Sequence, residues 1–442
     1  MKKKRTIIIL FIVVFVISFI YNFIYFPLNG DEIWNYGFGY AIARGEIPYR
    51  DFNMVITPLY SFLIAILISI FGSHLIIMHI FNSILVSLLC VTIYLKLGKK
   101  FFLIFPILLL ISQPGYNFFS LFLVFLIIFV STYNFSKKDI ILGLLVGLLF
   151  LCKQNIGFLF LFPLLFGSKN QMKSLISFLI PILIFSIYLI YYSAFNDFIN
   201  FCFLGLFDFG KSNFKMYFLI SSLLTCFYLI YSIVKSKFTD ITAMYVLCFQ
   251  TLTFPIFDYV HFFIPFVLFL YYIFFRYSLK NNAFIIFQLI MILIFVFLGV
   301  DGFSTFLNLE NNSFLRYRNI GDECVENGLR EITNFIKKEK SYDSLYVVDD
   351  FSYLIKINLN ADITQYDLLN NGNMGYRGSR RIISEINNYC LNNKCMFIVK
   401  DYVENTQLNH NIYNYVVDNY SFYKEVDIFK VYSNYMLGDA YE

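Results

Sequence analysis

The stretch PLNGDEIWNYGFGYAIARGEIPYRDFNMVITPLY, residues 27–60, determines how the chain is organised. It is the first polar segment after an apolar run that is long enough to cross a bilayer. Asn29 and Glu32 have the spacing of a capping box, which predicts the start of a short helix, and Gly45 predicts its end. Asp31 then falls in the first turn, where the helix dipole favours a carboxylate. The segment is therefore expected to be a structured loop that holds an acid pair at a membrane surface.

Composition places the chain among integral membrane proteins. Of its 442 residues, 59% are hydrophobic and only 14% are charged, and the long apolar runs lie in the first 300. The opening MKKKR precedes an apolar run without a small-residue cleavage site, which predicts an uncleaved first helix. Residues 1–301 hold most of the basic surplus and residues 302–442 are acidic. Such a surplus orients helices in a membrane, so it does not indicate nucleic acid as a partner.

The basic clusters predict the topology. They are Lys2 to Arg5, Lys96 to Lys100, Lys137 and Lys138, Lys169 to Lys173, Lys235 to Lys237, and Arg276 to Lys280. The positive-inside rule expects all of them on the cytoplasmic face, and this requires that the apolar segment 58–72 does not cross. That segment is also short for a hydrocarbon core of ~30 Å, so we interpret it as an interfacial or re-entrant helix.

This reasoning predicts a mainly α, polytopic fold in a plasma membrane. The expected eleven spans lie near residues 6–26, 74–95, 101–113, 118–134, 140–152, 155–167, 174–193, 214–234, 239–257, 259–275 and 282–300. The amino terminus is then cytoplasmic, and the first loop 27–57 is external. We take residues 1–301 as the membrane domain and residues 302–442 as an extracytoplasmic domain.

The sequence of residues 302–442 predicts a small α/β domain. Strands are expected at 344–350, 361–367, 395–401 and 425–433, and helices at 322–340, 379–391 and 409–419. Cys390 and Cys395 can close a short disulfide loop in an oxidising compartment. The cysteines at positions 90, 152, 202, 226 and 248 lie in or near spans and are expected to be packing residues.

The first loop resembles that of a known family. Asp31 and Glu32, the run Gly45 to Phe52, Pro58-Leu59-Tyr60 and Phe71-Gly72 follow one another as in GT-C glycosyltransferases. The order is most similar to bacterial family 39 relatives of protein O-mannosyltransferases and aminoarabinose transferases. The resemblance implies that the loop acid is the catalytic base or helps to bind the acceptor. It also implies a polyprenyl-phosphate-linked sugar as the donor.

Candidate site residues follow from the resemblance and the topology. The catalytic candidates are Asp31 and Glu32, and the substrate-binding candidates are Lys153, Gln154, Arg50, Asp51, Asp258 and His261. Lys153 interrupts an apolar stretch, so it either meets the donor phosphate or marks a helix end and reaches the interface. Asp258 and His261 share a helix face, where they either contact a substrate hydroxyl or are solvated ends. The alternative to a catalytic role for Asp31 is that of a negative charge at the start of a helix.

The turn Ser112 to Asn117 lacks the second acid that many relatives carry there, so no metal or other cofactor is predicted, although a divalent metal stays open. The expected function is a membrane glycosyltransferase whose partners are a lipid-linked sugar donor, membrane lipid and a glycan, lipid or protein acceptor. The alternatives are a transporter, a flippase of lipid-linked glycans and a polymerase of surface polysaccharide. A transporter predicts internal repeats and polar residues near span centres, and the sequence has no convincing repeat.

Overall fold

The computed structural model describes residues 2–25, 30–208, 218–254, 256, 259–276, 323–339, 341–348, 352–359, 374–400 and 410–435. Up to Arg276 these residues are mainly helical, as the apolar runs predict. The helices of this part are α1 (Lys2–Phe19), α2 (Gly30–Ala43), α3 (Leu59–Phe71), α4 (Leu75–Leu97), α5 (Phe101–Leu110), α6 (Tyr116–Ser131), α7 (Lys138–Cys152), α8 (Gln154–Leu159), α9 (Leu161–Gly167), α10 (Gln171–Tyr191), α11 (Phe195–Ile199), α12 (Leu219–Lys235), α13 (Ile241–Gln250) and α14 (Tyr259–Arg276).

The chain forms antiparallel helical hairpins. α4 and α5 meet at a 3₁₀ turn, Gly98–Lys100. After this turn α5 runs back along α4, as shown by the Asn82 amide on α4, which donates to the Ser112 carbonyl over 2.5 Å. Asn22, in the π-helical turn that continues α1, donates to the hydroxyl of Ser112 over 2.9 Å. The end of α1, the start of α4 and the end of α5 therefore lie together at one end of the bundle.

The basic clusters lie at the opposite end. Four contacts join their turns: Lys96 Nζ donates to Thr132 Oγ1 over 2.8 Å, Lys169 Nζ to Asn134 Oδ1 over 3.2 Å, Lys100 Nζ to the Phe274 carbonyl over 2.8 Å, and Arg276 to Asp240. The amino-terminal cluster joins this end because α1 runs antiparallel to α4. The shared end is what the charge pattern predicts for a single membrane face.

Length and composition identify candidate membrane spans. Among the described residues, three helical runs are long and apolar enough to cross: Lys4–Phe23, Leu75–Leu110, which contains both α4 and α5, and Gln171–Tyr191. The remaining apolar helices have 10–17 residues. The number of eleven spans stays a prediction, and its last member, 282–300, lies outside the described residues.

Helix α3 follows the first loop and packs beside α2. It has 13 residues, so it is about 20 Å long, shorter than a hydrocarbon core of ~30 Å. Its outward side carries Ile66, Ile70 and Phe71, each more than half exposed in the protein alone. Such a side needs an apolar surrounding, which agrees with the predicted interfacial or re-entrant position. The assignment itself stays a prediction.

From Glu323 onwards the chain mixes helices and strands. The helices are α15 (Glu323–Lys338), α16 (Ser352–Leu359), α17 (Gly378–Cys390) and α18 (His410–Asn419), and the strands are β1 (Ser344–Val348), β2 (Cys395–Lys400), β3 (Ser421–Val426) and β4 (Phe429–Ser433). The sheet order is β1-β2-β4-β3, with β1 parallel to β2 and the other pairs antiparallel. Cys390 and Cys395 form the predicted disulfide, which ties the end of α17 to the start of β2.

One predicted strand in this part needs correction, and one helix was missed. The run 425–433 is not one strand, because Asp427 has a left-handed φ of 53° and turns the chain between β3 and β4. Aspartate tolerates that conformation better than most residues, so the hairpin turn has a local cause. The helix Ser352–Leu359 was not predicted, and the predicted strand 361–367 lies outside the described residues. The boundary between residues 301 and 302 also lies outside them.

Candidate active site

Helix α2 carries the two acids of the first loop, Asp31 and Glu32, which differ in exposure. Both lie in its first turn, but the side chain of Asp31 is exposed whereas Glu32 is 1% exposed. The helix ends as predicted: the Gly45 N–H donates to the Ile42 carbonyl, the Glu46 N–H donates to the Ala41 carbonyl, and Gly45 has a φ of 94°. This is a Schellman motif, which favours glycine at that position. The proposed cap residue, Asn29, lies outside the described residues.

Asp31 opens into a cleft at the end of the bundle opposite the basic clusters. The cleft is lined by Asp31, Asn35, Ile111, Gln113, Pro114, Gly115, Tyr116, Asn117, Phe118, Val260 and Ile264. The Asn35 amide donates to the Asp31 carbonyl over 2.5 Å and so stiffens the first turn of α2. Asp31 therefore borders the same cleft as a polar turn, 113–117, and the first part of α14.

Lys153 contacts the wall of this cleft. It lies between α7 and α8 in an extended conformation, with φ −151° and ψ 100°, so it forms the tip of a helical hairpin. Its Nζ donates to Asn117 Oδ1 over 2.7 Å and lies 5.1 Å from the centre of the Tyr116 ring. The hairpin tip thus brings an ammonium group to the same turn that borders Asp31.

Glu32 makes a buried contact that links two helices. Its Oε1 lies 2.5 Å from Nε2 of His79 on α4, and both side chains are at most 1% exposed. The pair holds the first turn of α2 against α4, so the acid next to Asp31 anchors the helix. The capping role and the catalytic role predicted for Glu32 both stay predictions.

Gln154 joins three segments at the hairpin tip. Its Nε2 donates to the Val55 carbonyl over 3.2 Å and to the Cys202 carbonyl over 2.9 Å, and the residue is 5% exposed. Both amide hydrogens are thereby used within the protein. This placement connects the first loop with the segment 195–204, which is a packing role, and the predicted contact with substrate stays a prediction.

Arg50 and Asp51 lie beyond the other end of α2. Arg50 Nε and a terminal guanidinium nitrogen donate to the two carboxylate oxygens of Asp51 over 2.7 and 2.8 Å, and the Ile47 N–H donates to Asp51 over 2.7 Å. Burial by itself would raise the pKa of Asp51, but these hydrogen bonds hold that pKa below its usual value. Because the 14-residue helix is about 20 Å long, the pair is remote from Asp31 along its axis.

His261 lies in the first turn of α14, half-buried between two residues that line the cleft, Val260 and Ile264. Its predicted partner, Asp258, lies outside the described residues. Within the described part of the chain, no group of three or more His, Cys, Asp and Glu side chains is arranged to hold a metal ion.

The structure adds residues that sequence reasoning had not assigned to the site. Asn35, Gln113, Tyr116 and Asn117 all border the cleft. The available signal was their polarity, since 113–117 is a polar turn between two apolar runs and Asn35 follows Asp31 by one helical turn.

The structure was compared with known proteins, and the comparison identifies its fold. No family model and no curated protein matches the chain. Two solved structures do, both of ArnT from Cupriavidus metallidurans. The structure bound to undecaprenyl phosphate has a TM-score of 0.59 and 10% identity, and the match covers 97% of this chain and 98% of that chain. The apo structure has a TM-score of 0.58 and 10% identity, with 98% and 99% covered. The chain therefore has the GT-C fold of the aminoarabinose transferase ArnT, in agreement with the resemblance in its first loop.

Proposed function

We propose that the chain is a glycosyltransferase of the plasma membrane that moves a sugar from a polyprenyl-phosphate-linked donor to an extracytoplasmic acceptor. The observation that carries this proposal is the cleft in which an exposed carboxylate, Asp31, shares a polar turn with the ammonium group of Lys153. A displacement at an anomeric carbon needs these two charges, one for the incoming hydroxyl and one for the departing phosphate. The fold of a protein that binds undecaprenyl phosphate supports the choice of donor.

The proposed transfer is a direct displacement at the anomeric carbon of the donor. Asp31 accepts the proton of an acceptor hydroxyl, and the hydroxyl oxygen forms a bond to the anomeric carbon of the donor. The bond between that carbon and the phosphate oxygen breaks, and its electron pair leaves with the polyprenyl phosphate. Lys153 stabilises the charge of the departing phosphate. Asn117 holds the Lys153 ammonium by a hydrogen bond of 2.7 Å, so little reorganisation is needed when the charge develops.

The location of the cleft supports an extracytoplasmic acceptor. The cleft lies at the end of the bundle opposite the basic clusters, and these clusters belong on the cytoplasmic side by the positive-inside rule. The disulfide between Cys390 and Cys395 favours the same side for the carboxyl-terminal part, because such bonds persist in oxidising compartments. The amino terminus is then cytoplasmic, and the acceptor is a glycan, lipid or protein of the cell envelope.

The deciding experiment measures transfer of a radiolabelled sugar from polyprenyl-phosphate donors in proteoliposomes. Asp31→Asn keeps the shape and hydrogen bonding of the side chain but removes the base, so the transfer rate should fall by about 10²-fold or more. Asp418→Asn, at an exposed position on α18, is the matched control and should keep the wild-type rate. Equal rates for Asp31→Asn and wild type would exclude Asp31 as the base. Movement of labelled lipid across the bilayer without transfer would favour the flippase alternative.

A further inference from the structure

Helix α16 of the carboxyl-terminal part packs directly on α2. The ring of Tyr353 is fully buried and meets the Phe38 ring edge-on, with 5.7 Å between the ring centres. Gly37 faces the same ring, and a Cβ atom at Gly37 would lie 2.3 Å from Cγ of Tyr353. The two helices therefore approach so closely that only glycine fits at this position of α2.

Lys356 lies on the same face of α16, one helical turn after Tyr353, and it is also fully buried. Burial lowers the pKa of Lys356 to about 7, and the carboxylate of Glu46 opposes this shift. Glu46 belongs to the motif that ends α2, because its N–H donates to the Ala41 carbonyl. A buried lysine is costly without a partner of opposite charge. The Glu46 carboxylate, just past the carboxyl end of α2, therefore lies close enough to Lys356 to act on its charge.

A second contact joins the carboxyl-terminal part to another loop at the same end of the bundle. The Tyr376 N–H donates to Asn200 Oδ1 over 2.7 Å. The Arg381 guanidinium lies 4.0 Å from the Asp197 carboxylate and 5.2 Å from the centre of the Phe201 ring. This second contact restricts rotation of the carboxyl-terminal part about the α16 contact.

We infer that α16 positions the helix that carries Asp31, with Tyr353 and Lys356 as positioning residues for the transfer reaction. This inference rests on the proposed function. α2 is a single helix of 14 residues, and Tyr353 meets it at Gly37, near its middle, so a tilt at this contact moves Asp31 in the first turn. A displacement of about 1 Å at a reacting group can cost about 10²-fold in rate. Both side chains act through the helix and do not touch the cleft.

The test compares Lys356→Met with Lys424→Met, a matched change at an exposed lysine of β3, in the full-length protein reconstituted in nanodiscs. Three quantities are measured: amide hydrogen exchange of α2, binding of undecaprenyl phosphate as the probe, and the single-turnover rate of sugar transfer. We expect Lys356→Met to speed exchange in α2 by at least tenfold and to slow transfer by at least tenfold. The Kd for undecaprenyl phosphate should stay within twofold, and Lys424→Met should change none of the three.

If Lys356→Met does not insert into the membrane, Glu46→Gln is the second variant. This substitution preserves the shape of the Glu46 side chain and removes only its negative charge. It should change exchange and rate in the same direction by a smaller factor. Wild-type exchange in α2 for either variant, or a loss of protection spread evenly over all helices, would overturn the inference. If the wild-type protein transfers no sugar, the proposed function fails, whereas the exchange comparison still decides whether α16 holds α2.

Discussion

Removal of His79 should destabilise the protein more than any substitution on the outer side of the same helix. Glu32 and His79 share a contact of 2.5 Å and are 1% and 0% exposed, so neither side chain has water as an alternative partner. His79→Leu removes the contact between the Glu32 carboxyl and Nε2 and puts an apolar side chain in its place. Breaking a buried pair from one side costs about 3–5 kcal/mol, mainly because the remaining group loses its partner.

The double variant separates the pair from ordinary packing. Replacing both members by apolar residues of similar volume also removes the buried carboxyl, so Glu32→Leu combined with His79→Leu should be more stable than His79→Leu alone. Leu95→Ala, on α4 and 42% exposed, is the control and should change stability by no more than about 0.5 kcal/mol. Reversible unfolding of the purified protein in mixed micelles, followed by tryptophan fluorescence and circular dichroism, gives the free energies. Additive losses in the double variant would refute the reasoning.

Further predictions follow from other parts of the structure. Lys153→Met should raise the apparent KM for the lipid-linked donor without changing protein abundance; an unchanged KM would support a lysine that only reaches the interface. Reagents that do not cross membranes should label Ser384→Cys, on α17, and spare Lys137→Cys, in one of the basic clusters; labelling of Lys137→Cys from outside would reverse the topology. The lowered pKa of Asp51 means that its ion pair contributes stability above the usual carboxyl pKa of ~3.9 and loses it as the pH falls through the folded-state pKa. Asp51→Asn should therefore weaken the acid-induced fall in thermal stability, and identical pH profiles would contradict this. Reduction of the disulfide at Cys390 should lower the stability of the carboxyl-terminal part by about 2 kcal/mol, as loop-closure entropy predicts for a short loop, and thermal unfolding with and without reductant measures the difference.

Local signals in the sequence determined much of the membrane part. The apolar runs specify helices because a backbone in lipid must satisfy its own hydrogen bonds. Gly45 specifies the end of α2 because the closing turn needs a positive φ. The basic clusters predicted a common face, and the contacts from Lys96, Lys100 and Lys169 bring their turns together. The pairing of Cys390 with Cys395 was also readable, because five residues of separation bring two cysteines close in any compact turn.

Only the tertiary structure decided the roles of neighbouring polar residues. Asp31 and Glu32 are adjacent, and their directions differ by about 100° around the helix axis, so the packing partner determines which one is buried. The partner is His79, 47 residues further along the chain, and no local pattern encodes that contact. The sequence named Lys153 as a residue that meets an anion or an interface, but its bond to Asn117 depends on the pairing of two hairpins.

The contact of α16 with α2 is the clearest case of a feature that the sequence does not predict. Tyr353 and Lys356 lie in an apolar run whose local pattern does not indicate a helix, and their burial depends on Gly37 and Glu46, more than 300 residues earlier in the chain. Periodicity and turn chemistry reveal where elements begin and end because those preferences act within a few residues. The choice of which side chain faces a cleft, a partner helix or lipid belongs to the packed molecule, because it depends on surfaces that folding brings together.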